Sequence, residues 1–362
     1  MKIKINKEEL LKGIQIASNI VSSKATLPIL SNMLVEAKDD ILKMNTTDLD
    51  IGISCELPVH IFEPGAITIP ARKFSDIIRE LPPGDVVIYA RKNNQIEIEG
   101  TNCRFKLNGL PKEEFPKFPE FKDKDAVLIK QADLKEMIRL TSFAVSYEES
   151  RYVLNGILLE ISGDTAKMVA TDGKRLAKME KKLLQQSAKD ISIIIPIKAV
   201  TEISRNLKDS GNCTIISGVN QVLFNIDGIL IATRIIEGEF PNYKQVIPKE
   251  INTKVKIRTA DKLAAIRRAN LFSTPDFQAV KFELFKDKLV ISKTTPDVGE
   301  HREEVQIEYG HQELMVGFNP QFFIDVLKHL PQETIELEFL GSDKACVLRT
   351  GDYLYLTLPM RL

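Results

Sequence analysis

One short sentence is written three times along this chain, and its recurrence restricts the possible folds more than any other feature. IPARKFSDIIREL (69–81), IPIKAVTEISRNL (195–207) and the looser FNPQFFIDVLKHL (318–330) align on Leu81, Leu207 and Leu330. The alignment superposes Asp76, Glu202 and Asp325, then Ile77, Ile203 and Val326, then Arg79, Arg205 and Lys328. Self-similarity at so wide a period marks a repeated structural unit. Each copy predicts an amphipathic helix. In the first, Phe74, Ile77, Ile78 and Leu81 form the apolar face and Arg72 and Arg79 the opposite one.

A second helical pattern repeats with it. INKEELLKGIQIA (5–17), IKQADLKEMIRLT (129–141) and IRTADKLAAIRRA (257–269) stack Ile14, Ile138 and Ile266. They also stack Glu9, Asp133 and Asp261 in the first turn, where the helix dipole favours acids. Between the helices, VEAKDDILKMNTTD (35–48) and LEISGDTAKMVATD (159–172) both read as strand, turn, strand. The first two copies close on LPKEEFP (110–116) and EGEFP (237–241), and the joints KFPEFKDKDA and NYKQVIPKEIN follow, rich in proline and charge. Three domains are expected, 1–120, 127–246 and 247–362, each with two helices and many short strands. The connections are too short for parallel crossovers, so the class is α+β with mostly antiparallel sheets.

Composition closes several avenues. No apolar run approaches the ~20 residues of a membrane span, and the opening MKIKINKEELL carries no signal-peptide core. Cys55, Cys103, Cys213 and Cys346 lie far apart without a CxxC, so they read as buried, reduced thiols of a cytoplasmic protein. His60, His301, His311 and His329 are scattered, and the glycine-rich, zinc and nucleophile motifs of common enzymes are missing. No metal, cofactor or covalent chemistry is expected. Fifty basic residues cancel fifty acidic ones, so a polyanionic partner has to be read from distribution. On most of the repeated helices cations outnumber acids, with Lys262, Arg267 and Arg268 among them. Helices sharing one face would attract phosphates without reading sequence. No exposed aromatic cluster accompanies them, which argues against stacking on single strands.

Two loops and the terminus complete the reading. In TTDLD (46–50) an Asp48/Asp50 metal pair is conceivable, but its counterpart ATDGKRLA (170–177) keeps only Asp172, which favours a turn-stabilising aspartate. Lys174 and Arg175 in that second loop leave two readings open, an ordinary hairpin or an anion pocket. The end, YLYLTLPMRL, is apolar to its last residues, as a final strand, an apolar binding surface, or both.

In order along the chain, KATLPIL (24–30), IPARKF, SRYVLNG (150–156), ATDGKRLA, GEFPNYKQVIP and LPMRL resemble the bacterial DNA polymerase III beta subunits, the replicative sliding clamps. The resemblance covers the whole chain. It implies three similar DNA-clamp domains per chain and a homodimer ring closed head to tail around double-stranded DNA, without sequence preference. It also implies that the ring tethers the replicative polymerase, a clamp loader, other polymerases and repair proteins, and that the chain catalyses nothing. For DNA it points to Lys24, Arg151 and Tyr152; Arg72, Lys73, Lys198 and Arg205 are added from charge and helix position. It implies a groove for short linear peptides carrying a Gln and a Leu-Phe pair. Its matching positions are Leu154, Thr171, Gly173, Lys174, Arg175, Leu176, Pro241, Val246, Asn319, Phe322, Val347, Leu358, Pro359, Met360 and Arg361. For the ring joint it implies Phe105 against the neighbour's Leu271 and Phe272, with Lys73 and Arg104 facing Glu300, Glu303 and Glu304. Lys174, Gln245, Phe322 and Leu358 stand where many relatives carry His, Arg, Tyr and Met, which leaves the peptide preference open, and Glu148 replaces a common neutral residue beside Arg151.

Overall fold

The computed structural model describes residues 1–21, 27–121, 126–248 and 253–362. Among them are six α-helices, two per repeat: α1 (Lys7–Ser18), α2 (Ala71–Glu80), α3 (Gln131–Thr141), α4 (Ile197–Asn206), α5 (Thr259–Asn270) and α6 (Pro320–Leu327). They fall where the two repeated helical patterns predict them. The strands form four sheets whose ladders are antiparallel. The α+β class follows.

The contacts divide these repeats into two compact units, Met1–Leu134 with Thr201–Ile235, and Lys135–Val200 with Ile236–Leu362. The chain passes between them within α3, within α4 and after Ile235. The reason lies in the sheets. In the first unit an eight-stranded sheet joins Ile51–Pro58, from the first repeat, to Ile229–Arg234, from the second. In the second unit another eight-stranded sheet joins Arg175–Lys182, from the second repeat, to Tyr353–Thr357, from the third. The middle repeat therefore gives strands to both. Completing edge strands in this way satisfies backbone groups that would otherwise stay open.

A five-stranded sheet completes the first unit, with Arg104–Asn108 at one edge. A four-stranded sheet completes the second, with Gly299–Gln306 at one edge and Leu314–Phe318 at the other. In the first unit α1 packs beside α2. Asn6 caps α1, its side-chain oxygen accepting from the Glu8 amide at 2.9 Å. On α2, Phe74 and Ile78 are fully buried in a cluster with Ile3, Leu10, Ile14 and Met33, while Ile77 is half-buried and Arg72 and Arg79 are exposed. Each such buried side chain contributes about 1.5–3 kcal/mol, so Phe74→Ala would cost about 3–5 kcal/mol. In the second unit α5 packs beside α6.

Lys262 corrects the charge reading. It was counted with the solvent-facing cations of α5, yet it is 0 % exposed, its ammonium 4.8 Å from the Phe282 ring centre and 4.6 Å from that of Phe323. Among the described residues it has no hydrogen-bond partner, and burial brings its amine down to about 8. The equivalent positions of the other two repeats hold buried Leu10 and Leu134.

Candidate functional site

The turn after strand Thr165–Thr171 organises the second unit. Asp172 Oδ1 accepts from the amides of Lys174 and Arg175 at 2.9 and 3.0 Å, and the Gly173 amide donates to Thr171 Oγ1 at 3.1 Å. Gly173 sits at φ 87°, a left-handed conformation that glycine adopts freely. This is a built turn. Lys174 projects into solvent, but Arg175 turns inward and is buried. Its guanidinium donates to Asp172 at 3.0 Å, to Asp325 of α6 at 2.7 Å and to the Phe143 carbonyl at 2.6 Å. It also lies 4.6 Å from the Phe322 ring centre. Burial alone would raise the Asp325 carboxyl, but hydrogen bonds from Arg175, Gln321 and Lys328 and the charge of Arg175 hold it below the ordinary aspartate value. Arg175 is a buried pin between a strand of the middle repeat and a helix of the last one. An open anion pocket would need that cation free, so of the two readings of the loop the hairpin is the one with structural support.

Around this pin lies a buried apolar cluster. Leu176 and Val347 are buried in one cluster with Leu158, Ile194, Tyr243 and Leu356, and Leu154 is buried nearby in sequence from Val153, a flank of that cluster. Tyr243 is anchored by its hydroxyl, which donates to Glu160 at 2.5 Å. Other predicted groove residues stand exposed: Val246, Leu358, Met360, Pro241 and Arg361. Pro359 and Phe322 are half-buried. Phe322 is steadied by its own carbonyl, which accepts from the Tyr355 hydroxyl at 2.8 Å. Asn319 has a different duty: it caps α6 by accepting from the Gln321 amide at 2.9 Å.

The predicted DNA contacts are distributed over the fold. Lys24 lies outside the described residues. In the first unit Arg72 and Lys73 are exposed at the start of α2, where with Arg79 they line a concavity that also includes Ser18. Arg205 is exposed and paired with Glu202 at 2.5 Å. In the second unit Lys198 and Tyr152 are exposed, while Arg151 pairs with Glu148 at 3.3 Å and donates to the Asp172 carbonyl at 3.1 Å. Arg151 thus also braces the groove turn, a link that only the fold reveals.

Of the predicted joint residues, Arg104, Phe105, Glu300, Glu303 and Glu304 lie on two edge strands, Leu271 and Phe272 follow α5, and Lys73 is on α2. Arg104 and Phe105 are on the edge strand of the five-stranded sheet, where Arg104, Arg91 and Lys106 all surround the buried Glu97 carboxylate. Glu300, Glu303 and Glu304 are on the edge strand Gly299–Gln306. Glu303 is held by Arg268, and Glu304 by Lys288 at 3.3 Å and Arg302 at 3.1 Å. Leu271 is 78 % exposed and Phe272 half-buried. Among the described residues neither edge strand has a strand neighbour on its outer side; the first carries Arg104 and Lys106, the second Glu300, Glu303 and Glu304.

Three family models cover nearly the whole chain: the N-terminal domain of the DNA polymerase III beta subunit matches residues 1–119, the central domain 128–242 and the C-terminal domain 244–361. The beta sliding clamp of Chlamydia pneumoniae is 32% identical over 363 residues, covering 100% of this chain and 99% of the relative. A crystal structure of the DNA polymerase sliding clamp from Bacillus subtilis superposes with a TM-score of 0.95 at 32% identity, covering 100% of this chain and 99% of that one. A Pseudomonas aeruginosa sliding clamp bound to griselimycin gives a TM-score of 0.96 at 31% identity, with 100% of both chains covered.

Proposed function

The chain belongs to the DNA polymerase III beta subunit family, the beta sliding clamps, and from that membership we propose how its own residues do a clamp's work. Its function is that of a DNA polymerase sliding clamp, and it is a non-catalytic processivity factor. The observation that carries this is the match of all three domain models in order, one to each repeat. The proposed domain bounds remain 1–120, 127–246 and 247–362.

Two copies close head to tail into a ring around duplex DNA. The joint forms where the edge strand Arg104–Asn108 of one copy adds to the edge strand Gly299–Gln306 of the other; among the described residues neither strand has a neighbour on its outer side. Phe105 packs on Leu271 and Phe272, and the cation-bearing edge meets the acid-bearing one. Several of these charges already have partners within the chain, so they orient the joint more than they strengthen it. Lys24, Arg72, Lys73, Arg151, Tyr152, Lys198 and Arg205 attract phosphates without reading bases, which lets the ring slide.

The groove with its floor at Leu176 and Val347 takes linear peptides of the replicative polymerase, the clamp loader and other polymerases and repair proteins. Apolar peptide side chains enter between that floor and the exposed Met360 and Val246, and tethering raises the polymerase's effective concentration at the primer end. Its setting is the cytoplasm, alongside the chromosome. The test is light scattering together with retention on circular and end-blocked linear DNA compared with open linear DNA. A dimer kept on closed or blocked DNA and lost from open ends is expected. A monomer, or equal retention on all three, would overturn the ring.

A further inference from the structure

The chain ends against a strand edge. The Met360 amide donates to the Gly317 carbonyl at 2.8 Å, a single bridge onto the edge strand Leu314–Phe318 of the four-stranded sheet. Two residues earlier the Leu358 amide donates to the Lys174 carbonyl at 2.8 Å. The tail is therefore held at two points, on the 171–175 turn and on the edge strand. Behind it lies a cavity of about 360 Å³ whose lining includes Phe277, Lys293, Met360 and Leu362.

Gly317 is buried, and its φ is not in the left-handed range, so its requirement is one of space. A Cβ at this position would lie 2.7 Å from the Met360 carbonyl oxygen and 2.8 and 2.9 Å from two side-chain carbons of Leu362. Leu362 could change rotamer to relieve its share. The Met360 carbonyl is backbone, so any side chain at 317 would push the tail itself off the strand.

We propose that Gly317 is a positioning residue for partner recognition: its missing side chain seats the C-terminal tail so that Met360 forms a wall of the peptide groove. This rests on the peptide-groove reading above. Gly317 touches no peptide; it acts through the tail. The ligand class is an extended peptide with adjacent apolar side chains, the kind that needs a wall as well as a floor.

The test uses the full chain and its Gly317→Ala variant, each also shortened to end at Pro359. Affinity for a synthetic peptide carrying a Gln and a Leu-Phe pair is measured by calorimetry, and amide hydrogen exchange is followed at Met360. Gly317→Ala is expected to weaken the peptide tenfold or more, to speed exchange at Met360 and to leave the mass in light scattering unchanged. In the shortened chain it should have no further effect on affinity, because the tail it acts through is gone. Unaltered Met360 exchange, peptide affinity within twofold of the parent, or a second full loss in the shortened chain would each overturn the proposal. If the parent binds no peptide, the groove reading fails, and Met360 exchange alone still decides whether Gly317 seats the tail. If Gly317→Ala does not fold at full length, it should fold in the shortened chain, which lacks the clashing atoms; failure there too would overturn it.

Discussion

The two sheet joins are copies of one another, and their differences are more instructive than their likeness. In the first unit Ile51 pairs with Thr233 and Ser54 with Leu230; in the second Arg175 pairs with Thr357 and Lys178 with Leu354. Both strands are displaced by the same 124 positions (175 − 51 and 357 − 233), so the register is identical. The preceding turns match as well. Asp48 Oδ1 accepts from the Asp50 and Ile51 amides at 3.0 and 2.8 Å, just as Asp172 serves Lys174 and Arg175. The substitution that matters most is buried Ile51, which becomes Arg175 and pairs with Asp325 of α6, where the same one-repeat shift places the buried Glu202 of α4 in the first unit. One scaffold thus serves twice, and the second copy carries the buried Arg175–Asp325 ion pair.

Removing the pin should give the largest effect. Arg175→Ala leaves Asp325 and Asp172 without their buried cation and should destabilise the second unit by about 3–5 kcal/mol, read as a lower urea midpoint together with loss of peptide binding. Arg175→Ile installs the residue of the first join, and Asp325→Leu removes the carboxylate it would leave unpaired. Replacing a whole buried pair with apolar side chains is often neutral, so stability should return while peptide binding stays lost. Recovery of both would mean that the pin has no part in recognition.

The next largest effect concerns α1 and α5. Lys262→Leu copies Leu10 and should stabilise the chain at pH 7 by about 3 kcal/mol, since each pKa unit of displacement corresponds to about 1.4 kcal/mol. The sign follows from linkage. The amine is near 8 when folded, below its ordinary 10.5, so between those values the unfolded chain binds more protons. Parent stability should therefore rise from pH 8 toward 10.5, and the variant should lack that rise in urea titrations. A variant less stable than the parent at pH 7 would show that the aromatic contacts outweigh burial.

Asp325 contributes with the opposite slope. Its carboxyl is held low in the fold, so its stabilisation is complete above the ordinary aspartate value and is lost as pH falls through the depressed one. Acid titration of the urea midpoint should show a component below pH ~4 that the Arg175→Ile, Asp325→Leu chain lacks.

The smallest effect tests the two turns. Leu49 occupies φ 80° where Gly173 occupies 87°. A left-handed leucine costs about 1–2 kcal/mol, but glycine returns about 0.5–1 kcal/mol of that through unfolded-chain entropy. Leu49→Gly should therefore raise the thermal midpoint only slightly, by less than the shift from Lys262→Leu. A fall would mean that the half-exposed Leu49 side chain packs more than its surface suggests.

Much of this was legible before the fold. The six helices and the antiparallel strands were present in the repeats, because helical spacing and strand alternation are local properties of the chain; the family was carried by the ordered motifs from KATLPIL to LPMRL. The roles of individual residues were less so. Arg175 read as a loop cation and Lys262 as a solvent-facing one, since a sequence shows which residue carries charge but not which side of an element the rest of the molecule covers. A signal was available: in the aligned repeats each stands opposite an aliphatic residue, Ile51 and Leu10.

By itself, then, the sequence determined the repeated unit, its secondary structure and the family to which it belongs. The tertiary structure alone decided that three repeats form two compact units, that Arg175 meets Asp325 across 150 residues, and that Gly317 must leave room for the terminus. Those outcomes depend on which distant edges and side chains meet, and long-range contact leaves no periodic trace in the chain.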